Sequence, residues 1–316
     1  MKEVISLVFS AQFLYAVLRV TTPILFAAMA ALITNKASVF NIALEGIMLM
    51  AAFTGVVVSA FTQSCILGLL AGVIAGVIIA LILGYFGLKL KTNIILAGIA
   101  LNLMASGGTV FLLFLITKDK GISTSLKSMV LPRITLPLIN KIPILGTILS
   151  GHNVLTYVSL LSVVFIYYLL YKTPLGTKIR AVGENEDAAD SVGISVMKIK
   201  YIALAISGVL AGLGGVYMSM GYVSWFSTNM TAGRGFISIV AAAMGGDTPL
   251  GTFLASLLFG FADALSNSLS SFNIPPEFIQ ALPYITTIFG LVIYSSKKIS
   301  KENKIRREKY EKANNN

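Results

Sequence analysis

Residues 39–61 read VFNIALEGIMLMAAFTGVVVSAF, an apolar run of membrane-spanning length with one carboxylate, Glu45, set inside it. An ionisable group within a transmembrane helix costs roughly 2.5–3.5 kcal/mol on insertion scales, so it is usually kept for a pathway or a buried partner. Asn41 lies one helical turn before Glu45, and a continuous helix places the amide and the carboxylate on one face. The expectation is that something polar passes, or is held, beside that face.

The rest of the chain is of the same kind. Its 316 residues are 56% hydrophobic and 12% charged, whereas soluble domains carry about 25% charged residues. Runs such as 65–88 contain no charge at all, which argues against a soluble α/β enzyme. Segments near the roughly 20 residues that a bilayer requires fall at 13–34, 39–61, 65–88, 92–116, 153–171, 201–220, 250–271 and 278–294. The predicted fold is all-α, a polytopic membrane protein of about 8–10 transmembrane helices. One membrane domain covers 1–296, and the polar tail 297–316 is expected to be disordered. The run from 4 to 34 is interrupted by Arg19 and Thr21-Thr22-Pro23; it reads either as one long kinked helix or as an interfacial piece followed by a span. No A-x-A-like cleavage site follows it, so no removable leader is expected. Gly68, Gly72, Gly76, Ala80 and Gly84 recur every four residues, and Gly208 and Gly212 repeat the spacing, as close helix–helix packing requires.

Net charge is +11, and the tail from Lys297 holds eight Lys/Arg against three Asp/Glu. This basicity lies in loops rather than on a folded face, so it reads as the positive-inside bias and not as nucleic-acid binding. Lys36, the Lys89/Lys91 pair, the 172–200 loop and the tail then share the cytoplasmic side, and 117–152 lies opposite. That arrangement needs the short apolar piece 236–246 to cross as half of a broken helix, meeting the next helix at GGDTPLG. Nine crossings with a cytoplasmic C-terminus result. Cys65 is the only cysteine and His152 the only histidine, which excludes an internal disulfide and a Cys/His metal site. His152 reads as a solvated loop residue. There is no G-x-x-x-x-G-K-[ST] motif to cradle nucleotide phosphates.

Two further segments carry polar side chains at helical spacing: Asn102, Ser106 and Thr109, and Asp263, Ser266, Asn267 and Ser270. Together with Asn41 and Glu45 they suggest one polar cavity between helices; interhelical hydrogen bonding alone is the competing reading. Arg19 reads as a snorkelling side chain or as part of a helix break, and Tyr222, Trp225 and Phe226 as an interfacial aromatic belt. In the 171–201 loop, Asn185 is a helix N-cap, Glu186 and Asp187 suit the first turn, and Gly193 is a stop signal. A two-turn helix over 186–192 follows, held between basic strands carrying Lys178, Arg180, Lys198 and Lys200. It is too short to be stable alone and is suited to docking on a partner.

The stretches TPILFAAMAALITNKASVFNIALEGIMLMAAF, ILAGIALNLMASG, RAVGENEDAADSVGI, ISGVLAGLGGVY and TAGRGFISIVAAAMGG, followed by PLG and LLFGFADALSN, resemble the membrane permeases of bacterial ABC importers of the branched-chain amino acid and ribose type. The FNIALEG and TAGRGFI blocks resemble the nucleoside (simple-sugar) uptake permeases most. The resemblance implies a permease subunit in the bacterial plasma membrane with no catalytic activity of its own. Its partners would be cytoplasmic ATPase subunits that hold ATP and Mg, a second related permease in a heterodimer, and an extracytoplasmic substrate-binding lipoprotein. No cofactor would be bound by this chain. Glu184, Asn185, Glu186, Asp187, Asp190 and Gly193 occupy the place of the family's coupling helix. Asp247 departs from the family's pattern in the GG-x-x-P turn. The candidate substrate pathway is Asn41, Glu45, Asn102, Asp263, Asn267 and Arg234, whose carboxylates and amides suit a neutral, hydroxyl-rich solute. The rivals are import of a simple sugar or a branched-chain amino acid, a secondary transporter carrying a proton on Glu45 or Asp263, and a membrane enzyme using those two acids. The tail would add contact with anionic membrane lipid.

Overall fold

The computed structural model describes residues 10–135 and 145–269, with Ile285 and Val292 as single positions. Helix α1 (Ala11–Asn35) starts at a Ser10 cap and runs unbroken through Pro23. A proline cannot donate to the carbonyl four residues back. That carbonyl, Arg19 O, instead accepts from the Tyr217 hydroxyl at 3.0 Å, while the Thr21 and Thr22 hydroxyls return to Val17 O and Leu18 O. From Ala11 onward the segment is therefore one helix, about 37 Å long at 1.5 Å per residue. It is buried at every position from Val20 to Thr34, and α6, α9, α10 and α11, introduced below, all pack on it.

After α1 the chain leaves the helical path over residues 36–43. Backbone of that kind is tolerated at membrane depth only where protein satisfies its polar groups. Two asparagines do so. Asn41 Oδ1 accepts from Ala43 N at 3.1 Å and its Nδ2 donates to Ser207 Oγ at 3.1 Å. Asn102 Nδ2 donates to Ile42 O at 2.9 Å and its Oδ1 accepts from Gly46 N at 2.8 Å. Helix α2 (Leu44–Thr62) thus begins at Leu44. The expected sharing of a helical face by Asn41 and Glu45 is corrected, because Asn41 lies before the helix and turns towards Ser207.

Helix α3 (Cys65–Gly84) continues in a wider π turn, Tyr85–Lys89, and α4 covers Ile94–Thr117. The four-residue glycine spacing seats α3 against α2 and α9: a β-carbon on Gly76 would lie 2.7 Å from Gly208 O. The 118–153 connection carries a short ribbon, β1 (Arg133–Ile134) antiparallel to β2 (His152–Asn153), with α5 (Leu145–Leu149) between them. His152 is not solvated. It is 2% exposed, stacks on Tyr15 with ring centroids 3.9 Å apart, and places Nε2 2.8 Å from Ile148 O. Burial holds its pKa below the ordinary histidine value.

Helix α6 (Val154–Lys172) leads to α7 (Pro174–Glu184) and α8 (Glu186–Ser191). Helix α9 (Val196–Val216) then extends as a π turn over Tyr217–Tyr222, and α10 (Arg234–Met244) and α11 (Pro249–Leu269) follow. The pieces flanking α8 are helices α7 and α9, not the basic strands expected.

Seven helices among the described residues have the length and apolarity to cross a membrane. The eighth expected span, 278–294, and the tail lie outside the described residues apart from the two single positions. Helix α10, with 11 residues, is about 16 Å long and spans only half of a hydrocarbon core of about 30 Å. It packs against α11 across the 245–248 turn; the short helix expected near 236–246 is present, but α11 is a full-length span of 21 residues rather than the other half of one broken helix. A β-carbon on Gly183 would press on the Lys36 backbone, and Lys91 shares a cleft with Glu186 and Lys200. Among the described residues, Lys36, Lys91 and the 172–200 segment therefore gather at one end. The 117–135 stretch lies at the other, where Ser123 N donates to Phe226 O and Thr228 N to Gly121 O.

Candidate functional site

Two of the sequence blocks meet at the head of α10. Glu45, in the first turn of α2, is 9% exposed. Its Oε1 accepts from Gly233 N at 2.8 Å and its Oε2 from Gly235 N at 2.7 Å. Both oxygens act as acceptors at a helix N-terminus, where unpaired N–H groups and the helix dipole favour negative charge. Glycine is required on each side of Arg234 for different reasons. Gly233 has φ +79°, a conformation that side chains disfavour, and a β-carbon on Gly235 would lie 2.8 Å from Glu45 Oε2.

Between those glycines, Arg234 Nη2 pairs with Asp263 Oδ2 of α11 at 2.7 Å, and its Nη1 reaches Thr231 O at 3.4 Å. Two carboxylates and one guanidinium thus converge where the half-helix begins. Asn102 ties this point to α4, nine residues into that helix, which sets it about 12 Å from the basic end of α4.

Beside Glu45 opens a cavity of about 600 Å³, lined also by Asn102, Ser106, Asn229, Gly233 and Phe236. A smaller pocket of about 170 Å³ lies by Arg234, Pro23, Met218, Tyr222, Trp225 and Met230. At the basic end, α8 has the form its sequence predicts. Asn185 Oδ1 accepts from Ala188 N at 3.0 Å, Gly193 adopts φ +82°, and Glu186 pairs with Lys200 at 2.6 Å. Glu184, Asn185, Glu186, Asp187, Asp190 and Gly193 are all exposed, and Ala189 alone in α8 is buried. A cleft of about 510 Å³ runs alongside, with Lys91, Glu186, Asp187 and Asp190 on its walls.

Comparison with known proteins places this architecture. The sequence matches the family described as branched-chain amino acid transport system / permease component over residues 13–291. The chain belongs to that permease family. The guanosine ABC transporter permease protein NupQ of Bacillus subtilis (strain 168) is 33% identical over 304 residues, 92% of this chain and 92% of the relative. The nucleoside ABC transporter permease protein NupC of Lactococcus lactis subsp. cremoris is 31% identical over 291 residues, 89% of this chain and 91% of the relative. A chain of PsaBC from Streptococcus pneumoniae in complex with Fab has the same fold, with TM-score 0.54 and 15% identity over 92% of this chain and 94% of that one. The protein is an ABC transporter permease, a multi-pass protein of the plasma membrane.

Of the permease's six expected pathway residues, four gather at or beside the head of α10: Glu45, Arg234, Asp263 and, through Gly46, Asn102. Asn41 is buried against Ser207, and Asn267 lies exposed about one turn beyond Asp263 on α11. Ser106 lines the larger cavity, while Thr109 is buried and bonds back to Ser106 O. Arg19 stays within α1 with its guanidinium 4.6 Å over the Tyr222 ring. The aromatic belt does not hold for Phe226, which is fully buried against Phe53. Sequence reasoning misses the Gly233 and Gly235 amides as the partners of Glu45. The G-R-G triplet facing a helix start is their one available signal. Asp247, unexplained by the sequence, adopts φ +49° and accepts from Asn35 Nδ2 at 3.0 Å.

Proposed function

We propose that this permease imports a nucleoside by alternating access, powered by separate cytoplasmic ATPase subunits. The observation that carries the reading is the half-helix α10, whose N-terminus is held inside the bilayer by Glu45 beside an open cavity. Half-helices ending at mid-membrane place backbone donors and ion pairs where a solute crosses. Glu45, Asn102 and Arg234–Asp263 offer hydrogen bonds suited to ribose hydroxyls and base edges; two relatives of 33% and 31% identity are named for guanosine and nucleosides, and another of 31% is named for glucose, which keeps a simple sugar as the rival solute. Both oxygens of Glu45 are engaged by backbone amides, so the carboxylate holds the head of α10 in place.

The family supports the reading of the remaining parts of the machine. The basic end faces the cytoplasm, by the positive-inside rule. The ATPase receives α8 in its cleft and supplies ATP and Mg. A second, related permease completes a heterodimer, and an extracytoplasmic binding protein delivers the solute. Closure of the ATPase cleft would move α8 and α7, and Gly183 would press that motion onto the end of α1. The Asn35–Asp247 bond then links α1 to the α10–α11 hairpin, so displacement at the basic end reaches the head of α10.

Reconstitution of the complex in proteoliposomes with its binding protein tests the reading. ATP-dependent uptake of guanosine, exceeding that of ribose and leucine, is the expected result. Uptake of ribose or leucine alone would overturn the substrate. Uptake driven by a pH gradient without the ATPase would overturn the class.

A further inference from the structure

The pocket of Tyr222, Trp225, Met218, Met230 and Arg234 has no part in anchoring Glu45, and its walls are of a different chemistry. We infer that it holds the heteroaromatic base of the incoming solute, an inference that rests on the nucleoside reading above. The wide turn Tyr217–Tyr222 shapes it, and turns of this kind recur at functional sites. The outer connection holds the turn in place, with Leu131 N donating to Met220 O at 2.8 Å. Neighbouring rings divide sharply. Tyr217 and Phe226 are buried, whereas Tyr222 and Trp225 are 37% and 38% exposed and both line the pocket. Arg19 covers one face of Tyr222, leaving the pocket the other face or the edge.

Indole and phenol rings with two methionine thioethers form a polarizable wall on which any planar base stacks. Arg234 is the one cation among the residues lining the pocket. A guanidinium carries five N–H donors, more than its bonds to Thr231 O and Asp263 consume. An arginine presented in this way matches the paired acceptors on the edge of an oxo-purine. The size is selective as well. At about 170 Å³ the space is below the roughly 300–1,000 Å³ of whole-ligand sites, so it takes one ring system and leaves the sugar in its mouth. It lies between Pro23 of α1 and the 223–231 segment, the segment that the outer connection holds through Ser123 and Gly121.

Trp225 is the only tryptophan in the chain and therefore reports on its own pocket. In the full complex, guanosine is expected to quench a component of tryptophan fluorescence that the Trp225→Phe complex lacks, and ribose is expected to leave that component unchanged. With saturating loaded binding protein, Trp225→Ala should lower guanosine uptake roughly tenfold, the loss of one stacking wall, while Trp225→Phe keeps most of it. If wild type imports guanosine, yet quenching is absent, equal with ribose, or Trp225→Ala transports normally, the base pocket is overturned and the nucleoside reading stands. If wild type imports no nucleoside, that reading falls and the base pocket falls with it. Should Trp225→Ala fail to assemble, the fluorescence comparison decides by itself.

Discussion

A carboxylate in a membrane helix needs a partner, and at Glu45 the partner is backbone. Two amides at the start of α10 share its oxygens, so the side chain fixes where the half-helix begins as well as lining the cavity. Glu45→Ala leaves both N–H groups without their carboxylate, at about 1–3 kcal/mol for the buried Gly235 amide, and frees the head of α10 to shift. Uptake should fall by more than tenfold while the complex still purifies with its ATPase. Glu45→Gln keeps one acceptor but turns an NH2 group towards the second amide, and it should lie between alanine and wild type. Wild-type uptake in both variants would remove Glu45 from the transport path. Asp263 fits the same logic through Arg234, where one ion pair of 2.7 Å joins α10 to α11.

At the scale of elements, α8 shows what a cap signal achieves. Six residues cannot hold a helix alone, yet Asn185 and Gly193 close both ends, and Ala189 N donates to Asn185 O at 3.1 Å. Ala189→Pro removes that bond and should abolish ATPase stimulation by loaded binding protein. Stimulation that survives the change would mean that α8 does not couple the subunits. This element is legible in the sequence because caps and stops are local chemistry. So are the spans, which need only length and apolarity, and the glycine spacing of α3, which needs only periodicity. The start of α2 is not. Residues 39–43 are as apolar as a helix, and only Asn102 on α4 and Ser207 on α9 reveal that the chain there is irregular. The candidate site divides along the same line. Glu45 and Asp263 stand out as charges in apolar runs, whereas backbone donors such as Gly233 N have no residue type to announce them. His152 looks solvated in the sequence for a related reason, since its burial depends on Tyr15, which lies 137 positions earlier.

Across the whole molecule, α1 touches both ends of the mechanism. Near its beginning Tyr15 stacks on His152, and at its last residue Asn35 Nδ2 donates to Asp247 Oδ1 at 3.0 Å. A displacement arriving at Lys36 from the α7–α8 loop therefore has one side-chain bond through which to pull the 245–248 turn. Asp247→Ala should cut that bond, lowering guanosine uptake several-fold while ATPase stimulation persists, a split that simple unfolding would not give. The exchange Asn35→Asp with Asp247→Asn restores the pair with donor and acceptor reversed. Asparagine tolerates the positive φ that Asp247 adopts, so the turn itself is preserved. Rescue is expected to be partial, because an aspartate in the last turn of α1 opposes the helix dipole by about 0.3–1 kcal/mol. Should the double exchange transport no better than Asp247→Ala, motion reaches α10 through the packed faces of α1 and α10, and the Asn35–Asp247 bond is merely a brace.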